Sequence, residues 1–272
     1  MTMIESIADP QLMERAERML VESVLDWTQW QHIDAIEQDD AILTKSPIDF
    51  PLFNNVLSPR LPSADLESRV EAINSLLSEQ TRGVCWWLGA RSTPSNLADT
   101  LQKAGAFCAM ESTMMARNLD GLADIDWPQG MQIDEVTSAS QLSQWSDLVT
   151  QVHQVPPVVA DNWQDMYQAA GYGKPDSVHR HFIARMGEQV VGAASLITAA
   201  GVASLSNVST DPNHSNKGIG KALTLHALKQ AQLAGYRVAC LSASDEGKRI
   251  YQKLGFEEFE QTQAFIWLPR QL

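Results

Sequence analysis

Between Val202 and Ser242 the chain runs through a strand-like stretch (Val202 to Thr210), a polar loop, a long helical stretch (Gly218 to Ala234) and a second strand-like stretch (Val238 to Ser242). Two strands joined through a helix cannot close as a tight hairpin. They lie parallel in one sheet while the helix crosses a face of it. At about 100° per residue, Ile219, Ala222, Leu223, Ala227, Ala231, Leu233 and Ala234 share one half of that helix. Lys217, Lys221, Thr224, Lys229 and Gln232 take the other half, His226 and Gln230 interrupt the apolar one, and Gly235 is the stop. An α/β fold with a mixed sheet is the expectation.

Upstream, His181 to Arg185, Val190 to Ile197 and Val202 to Thr210 read as three strands with turns at Gly187-Glu188 and Ala200-Gly201, an antiparallel meander. Helical patterns precede them at Ser143 to Val152 and Asp161 to Ala170, and a short helix (Glu246 to Leu254) and a strand (Ala264 to Leu268) follow the crossover. The first half shows helices at Gln11 to Trp30 and Ala64 to Glu79, a strand at Val84 to Leu88, and a helix from Leu97 to Lys103 stopped by Gly105. Acids, Gly and Pro break every pattern from Asn118 to Gly130, which divides the chain into expected domains at residues 1–125 and 130–272. A length of 272 residues suits two domains.

An internal echo crosses that boundary. Gln102-Lys-Ala-Gly-Ala-Phe107 and Gln252-Lys-Leu-Gly-Phe256 share Gln, Lys and Gly, each after a helical turn and before a strand, Thr113 to Arg117 or Ala264 to Leu268. A degenerate tandem duplication explains it; helix, Gly stop and strand as a common arrangement is the plainer alternative.

Charge narrows the partners. Residues 1–130 carry 9 Lys and Arg against 20 Asp and Glu, residues 131–272 carry 11 against 13, and a polyanion such as nucleic acid is repelled. No apolar run approaches the roughly 20 residues that span a bilayer, and the N-terminus lacks a basic flank, so neither membrane span nor signal peptide is expected. Cys85, Cys108 and Cys240 are scattered among apolar neighbours, as reduced thiols are, and a cytoplasmic setting is the expectation. The cysteines do not suit a zinc site, and none of His153, His179, His181 and His214 shows metal-ligand spacing.

The chemistry-bearing stretch is Asn207-Val-Ser-Thr-Asp-Pro-Asn-His-Ser-Asn-Lys-Gly-Ile-Gly-Lys221, which leaves a strand and enters a helix at two glycines. The first amides of a helix have no internal partners and its dipole favours anions there, so the backbone can cradle phosphates. Gly218 and Gly220 permit close approach, and Lys217 and Lys221 add positive charge. A tight turn without a ligand is the bland alternative. A Walker A loop needs glycine where Ser215 stands and a dinucleotide fingerprint needs it at Leu223, which disfavours both.

With this loop, the long helix, the strand to Ser242 and the ending Ile250-Tyr-Gln-Lys-Leu-Gly-Phe256, residues from about Phe182 to Leu268 resemble the core of the GNAT N-acetyltransferases. Ser206-Asn-Val-Ser-Thr210 and Leu241-Ser-Ala-Ser-Asp-Glu-Gly247 are similar to those of a bacterial subgroup with two GNAT-like units in tandem. The resemblance implies two α/β domains, each a twisted mixed sheet flanked by helices, with acetyl-CoA as co-substrate and no metal. It implies pantetheine on the backbone of Val208, Ser209 and Thr210, and the diphosphate on Asn216, Lys217, Gly218, Ile219, Gly220 and Lys221. Ser244 matches a place where a polar residue touches CoA, with a helix N-cap as its alternative, and Tyr251 matches the phenol that protonates the leaving thiolate, with a core Tyr as its alternative. Ser215 departs from the family, which has Arg or Gln there.

The first half has no glycine pair opening a helix, so one acyl-CoA per chain is expected. Strand Val202 to Thr210 carries no carboxylate, which leaves the general base open among a water held by Asn207, a residue of the first half, and solvent; His153, His179, His181 and His214 are candidates in principle. The expected activity is transfer of an acetyl group to a small-molecule amine. The alternatives are a non-catalytic acyl-CoA-binding sensor or scaffold, and a homodimeric interaction protein without CoA.

Overall fold

The computed structural model describes residues 2–78, 83–124, 127–174 and 176–269. In chain order its elements are α1 (Leu12–Asp26), β1 (Asp34–Gln38), β2 (Ala41–Lys45), β3 (Asn55–Leu57), α2 (Leu66–Ser78), β4 (Val84–Leu88), α3 (Leu97–Lys103), β5 (Phe107–Asn118) and β6 (Met131–Glu135). There follow α4 (Ala139–His153), α5 (Pro157–Ala170), β7 (His179–Met186), β8 (Gln189–Ala199), β9 (Val202–Thr210), α6 (Ile219–Leu233), β10 (Val238–Ala243), α7 (Asp245–Lys253) and β11 (Glu257–Trp267). The fold is α/β with mixed sheets flanked by helices. Every helix expected from periodicity is present within a few residues of its expected bounds; β1, β2, β3 and β6 carried no pattern that singled them out.

Contacts divide the chain into two compact units, Met1–Met19 with Ala116–Ser242 and Leu20–Met115 with Ala243–Leu272. This grouping differs from a cut at the Asn118 to Gly130 linker, of which residues 125–126 lie outside the described ones. The physical reason is β11, which pairs antiparallel with β4 from Gln263 opposite Leu88 to Trp267 opposite Val84. A partner so distant in sequence leaves no local signal.

In the first unit the strand order is β10, β9, β8, β7, β6. β7 to β9 form the expected antiparallel meander, β6 pairs antiparallel with β7 at its edge, and β10 lies parallel to β9, as the crossover through α6 requires. Ile219, Ala222, Leu223, Ala227, Leu228 and Ala231 of α6 are buried with Val191, Ala193 and Leu196 of β8. Gly192 lets the helix approach: a Cβ there would stand 2.6 Å from Ile219 Cγ2 and 2.7 Å from Leu223 Cδ1. The two polar residues on the apolar half of α6 have partners. His226 meets Phe182 edge-on at 5.1 Å, and Gln230 Oε1 accepts from Arg180 at 3.3 Å, whose guanidinium also grips Glu135 with two bonds of 2.7 Å.

The second unit has the order β1, β2, β3, β4, β11, β5. Leu43, Val56, Val70, Ile73, Leu77, Trp86, Leu97, Leu101 and Phe265 form its core, and the buried Trp86 indole donates to Asn74 Oδ1 at 2.9 Å. The sequence echo has a geometric counterpart here. α3 ends with Gly105 at φ +93° and α7 with Gly255 at φ +79°. The amides of Gly105 and Ala106 bond to the carbonyls of Gln102 and Leu101, as those of Gly255 and Phe256 bond to Gln252 and Tyr251.

Gly192→Ala should lower the chemical denaturation midpoint, by about 1–3 kcal/mol of stability, because the added methyl overpacks the seat of α6. Equilibrium urea unfolding followed by circular dichroism measures it.

Candidate active site

β9 and β10 part company early. Their parallel register runs from Ala203 opposite Ala239 to Leu205 opposite Leu241, whereas β9 stays paired with β8 as far as Thr210 opposite Gly192. Between the pairs Ser206–Ser195 and Ser209–Ala193, two residues of β9, Asn207 and Val208, stand opposite Ala194 alone. This is a β-bulge, and Asn207 takes its left-handed position at φ +53°. Asn tolerates that conformation better than other residues with a Cβ. Its side chain is engaged, Nδ2 donating to Ser195 Oγ at 3.4 Å, while Ser195 Oγ meets His181 Nδ1 at 2.9 Å.

Past Thr210, Asp211 organises the loop. Its Oδ1 accepts from Asn213 N at 3.0 Å and its Oδ2 faces His214 Nδ1 at 2.9 Å around a single 3-10 turn, Pro212–His214. These contacts, the Asn213 amide foremost, hold the Asp211 carboxyl below the usual Asp range. Asn216 and Gly218 then adopt left-handed φ of +61° and +78°, and Gly218 is the N-cap of α6. The first helical bond of α6 comes from Ala222 N to Gly218 O. The N–H groups of Ile219, Gly220 and Lys221 have no partner among the described residues. Lys217 and Lys221 are exposed on the same turn.

The two glycines do different things, which spacing did not distinguish. Gly218 supplies a positive φ with open space around it; Gly220 lies over the end of β9, where a Cβ would be 3.5 Å from Thr210 Oγ1 and 3.9 Å from Val208 Cγ1. Val208 and Thr210 thus face the start of α6. Ser209 points elsewhere, its Oγ 3.0 Å from Nε2 of His153, the last residue of α4. Asn207 to Thr210 and Asn216 to Lys221 therefore gather at one end of the first unit.

Ser244 and Tyr251 belong to the second unit. Ser244 caps α7, its Oγ accepting from Gly247 N at 3.3 Å. Tyr251 is half-buried with its ring edge-on to Phe256 at 5.7 Å, burial raises its phenol pKa above the ordinary value, and its hydroxyl has no partner among the described residues. No group of His, Cys, Asp and Glu suited to a metal occurs among the described residues, and no helix among them is long and apolar enough to cross a membrane. Cys85 and Cys240 are buried, with thiol pKa values pushed up to about 12 by desolvation.

A bulged strand parting from its parallel neighbour beside a helix with bare amides offers a place for a phosphate-bearing ligand in an α/β protein, and comparison with known proteins gives the family. Residues 177–258 match the family model described as an acetyltransferase (GNAT) domain. A glucosamine 6-phosphate N-acetyltransferase of Trypanosoma brucei brucei is 30% identical over 135 residues, which is 46% of this chain and 88% of that protein. The chain belongs to the GNAT N-acetyltransferase family. Two solved structures share its fold over nearly the whole length. A GCN5-related N-acetyltransferase from Kribbella flavida has TM-score 0.74 at 18% identity over 96% of each chain. A tandem GNAT protein from the clavulanic acid biosynthesis pathway has TM-score 0.62 at 13% identity over 98% of each chain.

The carboxyl of Asp211 gives a pH test. Its folded pKa lies below the ordinary Asp value of 3.8, so its charge stabilises the fold above that pH, and this contribution is lost as pH falls through the folded value. Asp211→Asn should lower the melting temperature at pH 7, and the difference from wild type should vanish in acid below the folded pKa.

Proposed function

We propose that the chain binds one acetyl-CoA along the open end of β9 and the first turn of α6, and transfers the acetyl group directly to the amine of a small molecule. The observation that carries this reading is the set of unpartnered N–H groups of Ile219, Gly220 and Lys221 at the end of a strand whose parallel partner has already left it. Pantetheine would pair with the backbone of Val208 to Thr210 where no strand competes, and the diphosphate would take the helix amides, with Lys217 and Lys221 beside it. Ser215, where the family has a longer polar side chain, adds little, because backbone donors supply the main contacts.

In the reaction the nitrogen lone pair attacks the thioester carbonyl carbon, giving a tetrahedral oxyanion. The carbon–sulfur bond then breaks, leaving an amide and the CoA thiolate. Tyr251 is the proposed acid for that thiolate. A phenol whose pKa is raised by burial is protonated throughout the neutral range, and its unpartnered hydroxyl has a proton to give. The repeat supports one site per chain: at the offset of the echo, Leu101 stands where Tyr251 does, fully buried, and no glycine pair opens a helix before the linker. A small-molecule acceptor is supported by the relative named for glucosamine 6-phosphate. That compound is the first amine to assay by thiol release.

Acetyl-CoA and CoA should both raise the melting temperature. Gly220→Val should fold, since a Cβ there meets only ordinary contacts at 3.5 and 3.9 Å, yet it fills the gap between α6 and β9 and should abolish both shifts. A folded variant that responds like wild type would refute the placement. Tyr251→Phe keeps the buried ring, so stability and CoA affinity should change little, while turnover of an accepted amine falls by on the order of 10². Parallel melting, titration and turnover measurements on the one variant separate this from a structural role, which would lower stability and spare turnover.

A further inference from the structure

The base that accepts the amine proton has a candidate at the end of α4. His153 is partly exposed, its Nε2 side covered by Ser209, and Gln154, left-handed at φ +53°, ends the helix directly after it. His153 Nε2 lies 3.0 Å from Ser209 Oγ, which in turn lies 3.2 Å from the carbonyl oxygen of Asn207 at the bulge. A hydroxyl has one proton. Donated to the Asn207 carbonyl, it leaves Oγ to accept from Nε2–H, so the imidazole lone pair is on Nδ1, which has no partner among the described residues. We propose that His153 Nδ1 is the general base that takes the proton from the attacking amine, and that Ser209 is the positioning residue that fixes its tautomer and ring orientation.

The remaining histidines of this unit are committed elsewhere. His179 and His181 are 3% and 1% exposed, His214 is held by Asp211, and His226 lies against Phe182. β7, β8, β9 and α5 pack against α4. Toward it they present one charged group, Arg185 of β7, which donates to Gln144 of α4, and otherwise neutral ones: His181 of β7 and Tyr167 of α5 against Trp145, Gln164 of α5 against Ser143, and Ser209. The charged residues of those elements are occupied or exposed. Arg180 pairs with Glu135, Arg185 pairs with Asp134, and Asp161 and Asp165 are exposed on α5. Partial burial lowers the His153 pKa, so the ring is neutral and ready at pH 7. Once protonated, it sits in the last turn of α4, where the carbonyl end of the helix favours a cation. The proton passes from the amine nitrogen to Nδ1 and then to solvent, and no other reactant is needed.

This assignment rests on β9 as the pantetheine strand, and the test keeps the two apart. NMR titration of isotope-labelled histidine in the full chain, with His153→Gln to assign the resonance, should show His153 titrating below 6.5 as its Nε2–H tautomer. Acetyl-CoA should shift that resonance, and Ser209→Ala should change its tautomer signature. With any amine the wild type acetylates, His153→Gln should lower kcat by about 10² to 10⁴, remove the acid limb of the pH profile, and leave the acetyl-CoA melting shift intact. A resonance titrating at or above 6.5, one indifferent to acetyl-CoA while the melting shift persists, or an unchanged kcat at pH 7 would each overturn the base and leave the CoA site standing. No melting response to acetyl-CoA would overturn the CoA site and this assignment with it.

Discussion

A single left-handed residue inside a strand governs the functional end of this molecule. Asn207 at φ +53° places two residues of β9 opposite one of β8, and the strand that emerges from that bulge has its neighbour on one side only. Backbone polar groups left without a ladder partner must be met by something. The bulge is also where the faces of β9 divide: Val208 and Thr210 look toward Gly220 at the start of α6, and Ser209 looks toward His153 at the end of α4. The proposed phosphate-bearing ligand and the proposed base for its chemistry would thus meet one short segment of chain from two helices.

Asn207 is in turn held from beneath. Its amide donates to Ser195, and Ser195 meets the buried His181, which lies 4.1 Å from the ring of Trp145 and 4.4 Å from that of Tyr167. The polar chain is enclosed by aromatic rings, where a hydrogen bond is strong and its loss costly. The left-handed backbone is therefore set by a network across β7, β8 and β9, beyond what Asn contributes by its own tolerance.

Much of this was legible from the sequence because it is local. The 3.6-residue pattern of α6, its glycine entry and its Gly235 stop were sufficient to place that helix within a residue. The polar breaks at His226 and Gln230 looked like flaws and proved to be contacts with Phe182 and Arg180. What was not legible depends on partners far along the chain. β1 to β3 and β6 are five residues or fewer and read as loop until their ladders are seen. The pairing of β11 with β4 has no periodic signature at all. His153 stood among several equivalent histidines until its distance to Ser209 set it apart.

The exchange of the chain's final segment has a consequence for its manufacture. The unit built on Leu20–Met115 is finished only by Ala243–Leu272, so β4 emerges from the ribosome long before the strand that covers one of its edges. Until then it presents unpaired backbone groups, the kind of edge that invites association with other chains. A message truncated after α6 would leave that edge bare permanently. The half that lacks the glycine loop, although most of it is made first, is thus completed last, by residues that follow the half that has it.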